Sequence, residues 1–215
     1  MILKSYAKLN LTLSVNKKLK IGLHNIQSIY CLIDLYDKIS IKKIKNANSD
    51  KISFIGSFSK GINKSNNSVQ KVLNVMRKNK IIHDYYSVKV NKKIPVYAGL
   101  GGGTSNAATL FKFLSKKKLN KKILSEIIKN VGSDFRLFFY NQGYQKDLKS
   151  VINLDKKHQF HFLLVLICVS LVHVPFFVYS LSFLDVLNMY LLCHLMKIGN
   201  AWLYWNMRVE IHFHH

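Results

Sequence analysis

Cysteine is nearly absent. Cys31, Cys168 and Cys193 are the only three in 215 residues, and no two lie at the short spacing of a zinc site. That excludes a disulfide framework and makes a reducing, cytoplasmic compartment the expectation. Acidic residues are also sparse, ten against thirty-three Lys and Arg, leaving a formal charge of +23. Such a field draws in polyanions, whether nucleic acid, anionic lipid or a phosphorylated substrate, without choosing among them. The opening segment lacks an unbroken apolar run, since Lys4, Ser5, Lys8, Asn10 and Thr12 interrupt it, so it does not read as a signal peptide. What the chain does have is apolar material, 49% of its residues, enough to bury a core and to exclude wholesale disorder. Its length suits one domain, or one domain and a fragment.

The charge is unevenly spread. Residues 166–215 hold only Asp185, Lys197, Arg208 and Glu210, a net of zero, so the whole excess sits in residues 1–165. Within the tail, residues 162–184 carry no Lys, Arg, Asp or Glu, a length that reaches across a bilayer at about 1.5 Å per residue. His173, Pro175 and weakly charged flanks count against a membrane span. The favoured expectation is a change of reading frame after residue 165, with the membrane span as the alternative.

From Ala7 to Val15, apolar residues alternate with Lys8, Asn10, Thr12 and Ser14, the period of a half-buried strand that puts Lys8 and Asn10 on one face. Ile29–Leu35 and Ile39–Ile44 read as further strands, with Lys51–Ile55 as a partner, an antiparallel unit in all. Val69, Val72, Leu73 and Met76 recur at helical spacing behind a capping Ser68. Tyr85 to Ile94 returns to strand. Thr104 to Leu114 reads as helix, and Leu124, Ile127, Ile128 and Val131 form the stripe of another. Strands followed by helices imply an α+β fold.

Four of the ten glycines fall within five residues, Gly99, Gly101, Gly102 and Gly103, between a strand-like and a helix-like run. Glycines permit positive φ and close approach, and free N–H groups at a helix start point at negative charge, so the segment reads as a phosphate cradle. The hydroxyls of Thr104 and Ser105 can cap the helix or reach a phosphate or Mg²⁺. A Lys after the last glycine is missing, which excludes a Walker loop, and the spacing fails the dinucleotide fingerprint.

Pro95 to Ala108 resembles the ATP loop of the GHMP small-molecule kinases. Two further stretches in the family's order extend the likeness over about residues 3–165. One is Ala7-Lys8-Leu9-Asn10-Leu11 with Gly22 to Ser28; the other is Gly132-Ser133-Asp134 followed by Phe135, Phe138 and Phe139. The resemblance implies an α+β N-terminal lobe, of a fold also used by a ribosomal protein domain, over residues 1–165. It implies an enzyme that uses ATP and Mg²⁺ to phosphorylate an alcohol, with Asp134 as general base and Lys8 holding it ionised. Pro95, Gly99, Leu100, Gly101, Gly102, Gly103, Thr104 and Ser105 would bind the nucleotide. Asn10 and His24 would contact the substrate. The opening motif points to the branch acting on the 2-hydroxyl of a cytidine diphosphate-linked methylerythritol in non-mevalonate isoprenoid synthesis. Two positions depart from the pattern: Leu23 stands where relatives stack a tyrosine on cytosine, and Arg136 where they have proline.

The family's ferredoxin-like C-terminal lobe has no counterpart, since residues 166–215 contain only Gly199 and no second glycine motif. The expectation is therefore an incomplete cleft and a poor kinase, with an atypical hydrophobic tail over residues 166–215. Competing expectations are a basic RNA-binding module, for which no stripe of interleaved aromatic and basic residues stands out in the linear sequence, and a membrane-anchored relic. Nucleic acid is not the expected partner.

Overall fold

The structure, a computed structural model, describes residues 1–18, 24–115 and 120–154. Leu23, the apolar run 162–184, the tail 166–215 and Cys168 and Cys193 lie outside the described residues.

Seven strands form one mixed sheet around a single long strand. β1 (Ile2–Asn10) and β2 (Ser14–Lys18) run antiparallel along one edge of β3 (His24–Ile44). The other edge of β3 pairs antiparallel with β5 (Tyr85–Asn91) at its C-terminal half and with β6 (Gln142–Gln145) nearer its start. β4 (Lys51–Ile55) joins β5 in parallel, and β7 (Val151–Asn153) closes the end beside β6. The two alternating runs of residues 29–44 thus belong to one strand, and Lys51–Ile55 pairs parallel to β5 instead of antiparallel to an earlier strand, which corrects the purely antiparallel expectation. A parallel partner needs a crossover. Here α1 (Ser68–Lys78) supplies it between β4 and β5.

α1 buries Val69, Val72, Leu73 and Met76. It packs with α2 (Gly102–Leu114) and α3 (Lys121–Val131) over Ile39, Ile41, Val88 and Val90 of the sheet. Each such side chain removed from water contributes about 1.5–3 kcal/mol. The cap of α1 is Asn67, not the expected Ser68: its Oδ1 accepts from the Gln70 N–H at 2.9 Å. Cys31 is buried in β3, and burial pushes its thiol up to about 12, the condition of an inert packing residue.

An irregularity between β1 and β3 positions the site. The register steps from Tyr6 opposite Tyr36 to Ala7 opposite Ile33. In a regular strand Ser5 and Lys8 point to opposite faces. Here the Ser5 hydroxyl bonds Ser105 of α2, while Lys8 reaches Asp134 on the short helix after α3. The bulge turns Lys8 toward the helical layer, as bulges beside sites commonly do.

Candidate active site

Lys8 lies on β1 with its side chain almost wholly buried, and its ammonium donates to Asp134 Oδ2 at 2.9 Å. Asp134 is delivered by a 3-10 helix, Ser133–Phe139, that begins where α3 ends at Gly132. Phe135 and Phe138 anchor that helix in the core. The Asp134 side chain keeps 33% of its surface exposed, and its Oδ1 meets only the Ser133 hydroxyl, at 3.5 Å. One carboxylate edge is thus locked to a cation while the other faces solvent.

The glycine loop closes on this pair. The Lys8 N–H donates to the Leu100 carbonyl at 2.9 Å, tying the loop to β1 at the residue that carries the ammonium. Gly101 caps α2 in the left-handed region at φ 68°. A Cβ there would lie 2.8 Å from the Phe138 ring and 3.9 Å from Asp134 Oδ2. Only glycine fits, and the loop, the 3-10 helix and the carboxylate converge at that point. Gly99, at φ 70°, has nothing within 4 Å of a Cβ position, so the space before it is open. A Cβ on Gly103 would stand 3.0 Å from the Ser68 hydroxyl, which places the first turn of α1 against that of α2. Two helix N-termini directed to one place favour an anion.

The other expected residues distribute as follows. Thr104 stands at the start of α2, its Oγ1 3.2 Å from a Cβ position on Gly132. Ser105 is turned inward: its hydroxyl donates to the Tyr6 carbonyl at 2.6 Å and accepts from Ser5 at 2.8 Å. It ties α2 to β1 and has no free face for a phosphate. Pro95 is half-buried at the loop entrance. Asn10 ends β1 with a buried Oδ1 that has no protein donor, the condition of an acceptor waiting for a ligand. His24 begins β3, and its side chain lies outside the described residues. Arg136 faces away from the pair, donating to the Lys149 carbonyl beside a cleft of about 300 Å³ shared with Phe139 and Tyr140. Burial pushes its guanidinium down from the ordinary arginine range.

Sequence reasoning missed a second ion pair beneath the cradle. Asp37, on β3, is fully buried and accepts from the Lys92 ammonium, from the Lys93 N–H at 2.7 Å and from the Ile94 N–H at 2.9 Å. The Lys92 Nζ lies 3.2 Å from a Cβ position on Gly102. This pair fixes the exit of β5 into the loop. One lysine among many carried no signal, but an aspartate inside an apolar strand run did. Among the described residues no cluster of His, Cys, Asp and Glu could alone hold a metal, and no helix is long and apolar enough to cross a membrane.

Residues 67–140 match the model of the GHMP kinases N terminal domain. Curated relatives named 4-diphosphocytidyl-2-C-methyl-D-erythritol kinase include one from Pelagibacter ubique, 44% identical over 61% of this chain and 47% of that protein. Another, from Ureaplasma parvum, is 34% identical over 71% of this chain and 58% of its own length. The chain thus spans about half the length of the curated relatives it matches. Among solved structures, a 4-(cytidine 5'-diphospho)-2C-methyl-D-erythritol kinase superposes with a TM-score of 0.58 at 20% identity, over 77% of this chain and 59% of that one. A homoserine kinase from Cytophaga hutchinsonii superposes with a TM-score of 0.59 at 12% identity, over 88% and 63%. Both share the fold. The glycine loop and Asp134 both fall within residues 67–140, the stretch that is similar to the GHMP kinases N terminal domain.

Proposed function

We propose that the chain is an ATP-dependent small-molecule kinase. In this reading it transfers a phosphoryl group to the 2-hydroxyl of 4-diphosphocytidyl-2-C-methyl-D-erythritol in non-mevalonate isoprenoid synthesis. Residues 1–165 would be the ATP-binding domain and the cytoplasm the place of action. The observation that carries this reading is the Lys8–Asp134 pair lying against Gly101 of the cradle. Its chemistry suits phosphoryl transfer, which needs positioning, a proton acceptor and fixed positive charge.

In this scheme the Asp134 carboxylate takes the proton of the substrate hydroxyl. The oxygen so freed bonds to the terminal phosphorus, the bond from that phosphorus to the bridging oxygen breaks, and ADP leaves. The ammonium of Lys8 orients the Asp134 carboxylate and meets the negative charge on the attacking oxygen. The free N–H groups at the start of α2 and the open space before Gly99 suit a nucleotide's phosphates. The Thr104 hydroxyl at the start of α2 is an oxygen that suits Mg²⁺, which when bound neutralises phosphate charge. The orphan Oδ1 of Asn10, two residues along β1 from Lys8, suits a donor on the acceptor substrate.

The test is calorimetric titration of the purified chain with ATP and Mg²⁺, followed by coupled ADP release over a panel of alcohols. Nucleotide binding, and ADP release that requires the cytidyl substrate, is the expected result. Release with a different alcohol reassigns the substrate, and absence of nucleotide binding overturns the kinase reading.

A further inference from the structure

Among the described residues, the part of the sheet ordered β1-β3-β5-β4 carries helices on one face only. Its other face is open, and alternation places Lys4 of β1, Lys38 and Lys42 of β3, Lys89 of β5 and Lys51 of β4 on it, all exposed. Lys4 stands directly opposite Lys38. Lys42 and Lys51 both stand opposite Ser87, while Lys89 lies between Ser40 and Ser53. Like charges directly opposite on a ladder repel.

Among the described residues, carboxylates offer these lysines little relief. Five of the seven described acidic side chains are committed to ion pairs with other cations: Asp134 with Lys8, Asp84 with Lys43, Asp50 with Arg77, Glu126 with Lys78 and Asp37 with Lys92. Among the described residues only Asp34 acts on the edge of the lysine field, at Lys4. Tyr6 and Tyr36 lie on the same face, their rings edge to face at 5.5 Å, with the Lys4 ammonium 4.6 Å above Tyr36. Basic and aromatic side chains are therefore interleaved, across strands instead of along the sequence, which is why the linear reading found no stripe.

We propose that this face docks single-stranded RNA. Phosphates would follow the uncompensated lysines, the tyrosine edge offers stacking surface, and the hydroxyls of Ser40, Ser53 and Ser87 suit the 2′-hydroxyl that distinguishes RNA from DNA. A lipid surface fits less well: the large exposed apolar side chains here, Ile2 and Ile55, sit on the two outer strands, with no apolar wedge between the lysines. The inference stands independently of the kinase reading, because none of these residues belongs to the cradle.

Fluorescence anisotropy of a labelled oligouridylate with the full chain, between about 50 and 200 mM salt, tests it. The expected slope of log affinity against log salt is about −3, near −0.7 for each neutralised phosphate. A Lys38→Glu, Lys42→Glu, Lys89→Glu variant should lose affinity by about tenfold or more, while Lys121→Glu, Lys122→Glu, Lys129→Glu on α3, an equal change in net charge, should lose no more than about threefold. The corresponding Lys→Gln set, with unchanged unfolding midpoint, separates lost docking from lost fold. Equal losses in the two Glu variants would reduce the effect to bulk charge and overturn the site. Equal affinity for oligodeoxythymidylate overturns the choice of RNA. Sedimentation with phosphatidylserine vesicles but no oligouridylate binding transfers the face to a membrane partner. ATP titration of the same variants reads the cradle separately, so failure of one reading leaves the other measurable.

Discussion

Two lysine–aspartate pairs brace this domain, and they differ in how completely the carboxylate is satisfied. In Lys92–Asp37 the two side chains are 3% and 0% exposed, and both Asp37 oxygens are occupied, one by the ammonium and the other by two backbone N–H groups. In Lys8–Asp134 the lysine is as deeply buried, yet the aspartate keeps one oxygen with a single long contact from Ser133 and a third of its surface in water. A saturated carboxylate fixes geometry; one with a weakly held oxygen and a third of its surface in water leaves that oxygen able to accept a substrate's proton. The domain thus uses one chemistry twice, once to hold the loop and once to act at its rim.

The sharpest way to break that comparison is to neutralise each aspartate in turn. Asp134→Asn removes the base and should lower substrate-dependent ADP release about 10²- to 10⁴-fold. Nucleotide affinity measured by calorimetry should stay within about threefold, since a group acting in the chemical step adds little to ground-state binding. Asp37→Asn should act the other way. It leaves the Lys92 ammonium buried without a counter-charge and should cost about 3–5 kcal/mol in urea unfolding, whereas Lys92→Met with Asp37→Leu should recover much of that loss. If Asp37→Asn destabilises no more than Asp134→Asn, the division into brace and working pair is wrong.

Both pairs show where sequence reading succeeds and where it stops. Strand alternation placed Lys8 and Asn10 on one face, and the helix stripes at Val69, Val72, Leu73 and Met76 and at Leu124, Ile127 and Ile128 were legible because burial imposes a period. Lys8 pairing with Asp134 was legible only through resemblance, because its direction depends on the bulge after Tyr6, and a two-residue slip in register leaves no local mark. Reading residues 29–44 as two strands failed for a related reason: the apolar alternation is interrupted at Asp37, a buried carboxylate paired with distant Lys92, within a strand that never ends. Ser105 looked like a phosphate ligand because hydroxyls at a helix start commonly are; the close approach of β1, a tertiary fact, turned it inward. The Asn67 cap and the lysine face of the sheet likewise depend on neighbours distant in sequence.

Gly101 joins the two pairs, since the loop that Lys92–Asp37 holds ends against Asp134. Gly101→Ala forces a side chain into the left-handed region, at about 1–2 kcal/mol, and pushes its Cβ toward the Phe138 ring. The unfolding midpoint should fall. ATP affinity should fall by about tenfold or more, because the 3-10 helix and the cradle cannot both keep their places. Retention of both would mean that loop and carboxylate are less tightly joined than the 3.9 Å approach of that Cβ position to Asp134 implies.

The smallest expected effect lies at Tyr97, on the stretch of loop between the two pairs. It is a non-glycine residue at φ 60°, and its side chain is 94% exposed, so it holds a costly backbone conformation without packing to offset it. Tyr97→Gly relieves about 1–2 kcal/mol of backbone strain and adds about 0.5–1 kcal/mol of unfolded-chain entropy. The net should lie between about zero and about 1.5 kcal/mol of stabilisation, read as a small rise in urea midpoint at constant slope. If the loop is held from its two ends, by Asp37 at Lys93 and Ile94 and by Lys8 at Leu100, a more permissive residue midway should leave ATP affinity within about twofold. A larger fall in affinity at unchanged stability would mean that the strained turn itself is held ready for the nucleotide, and that the two pairs alone do not set the cradle.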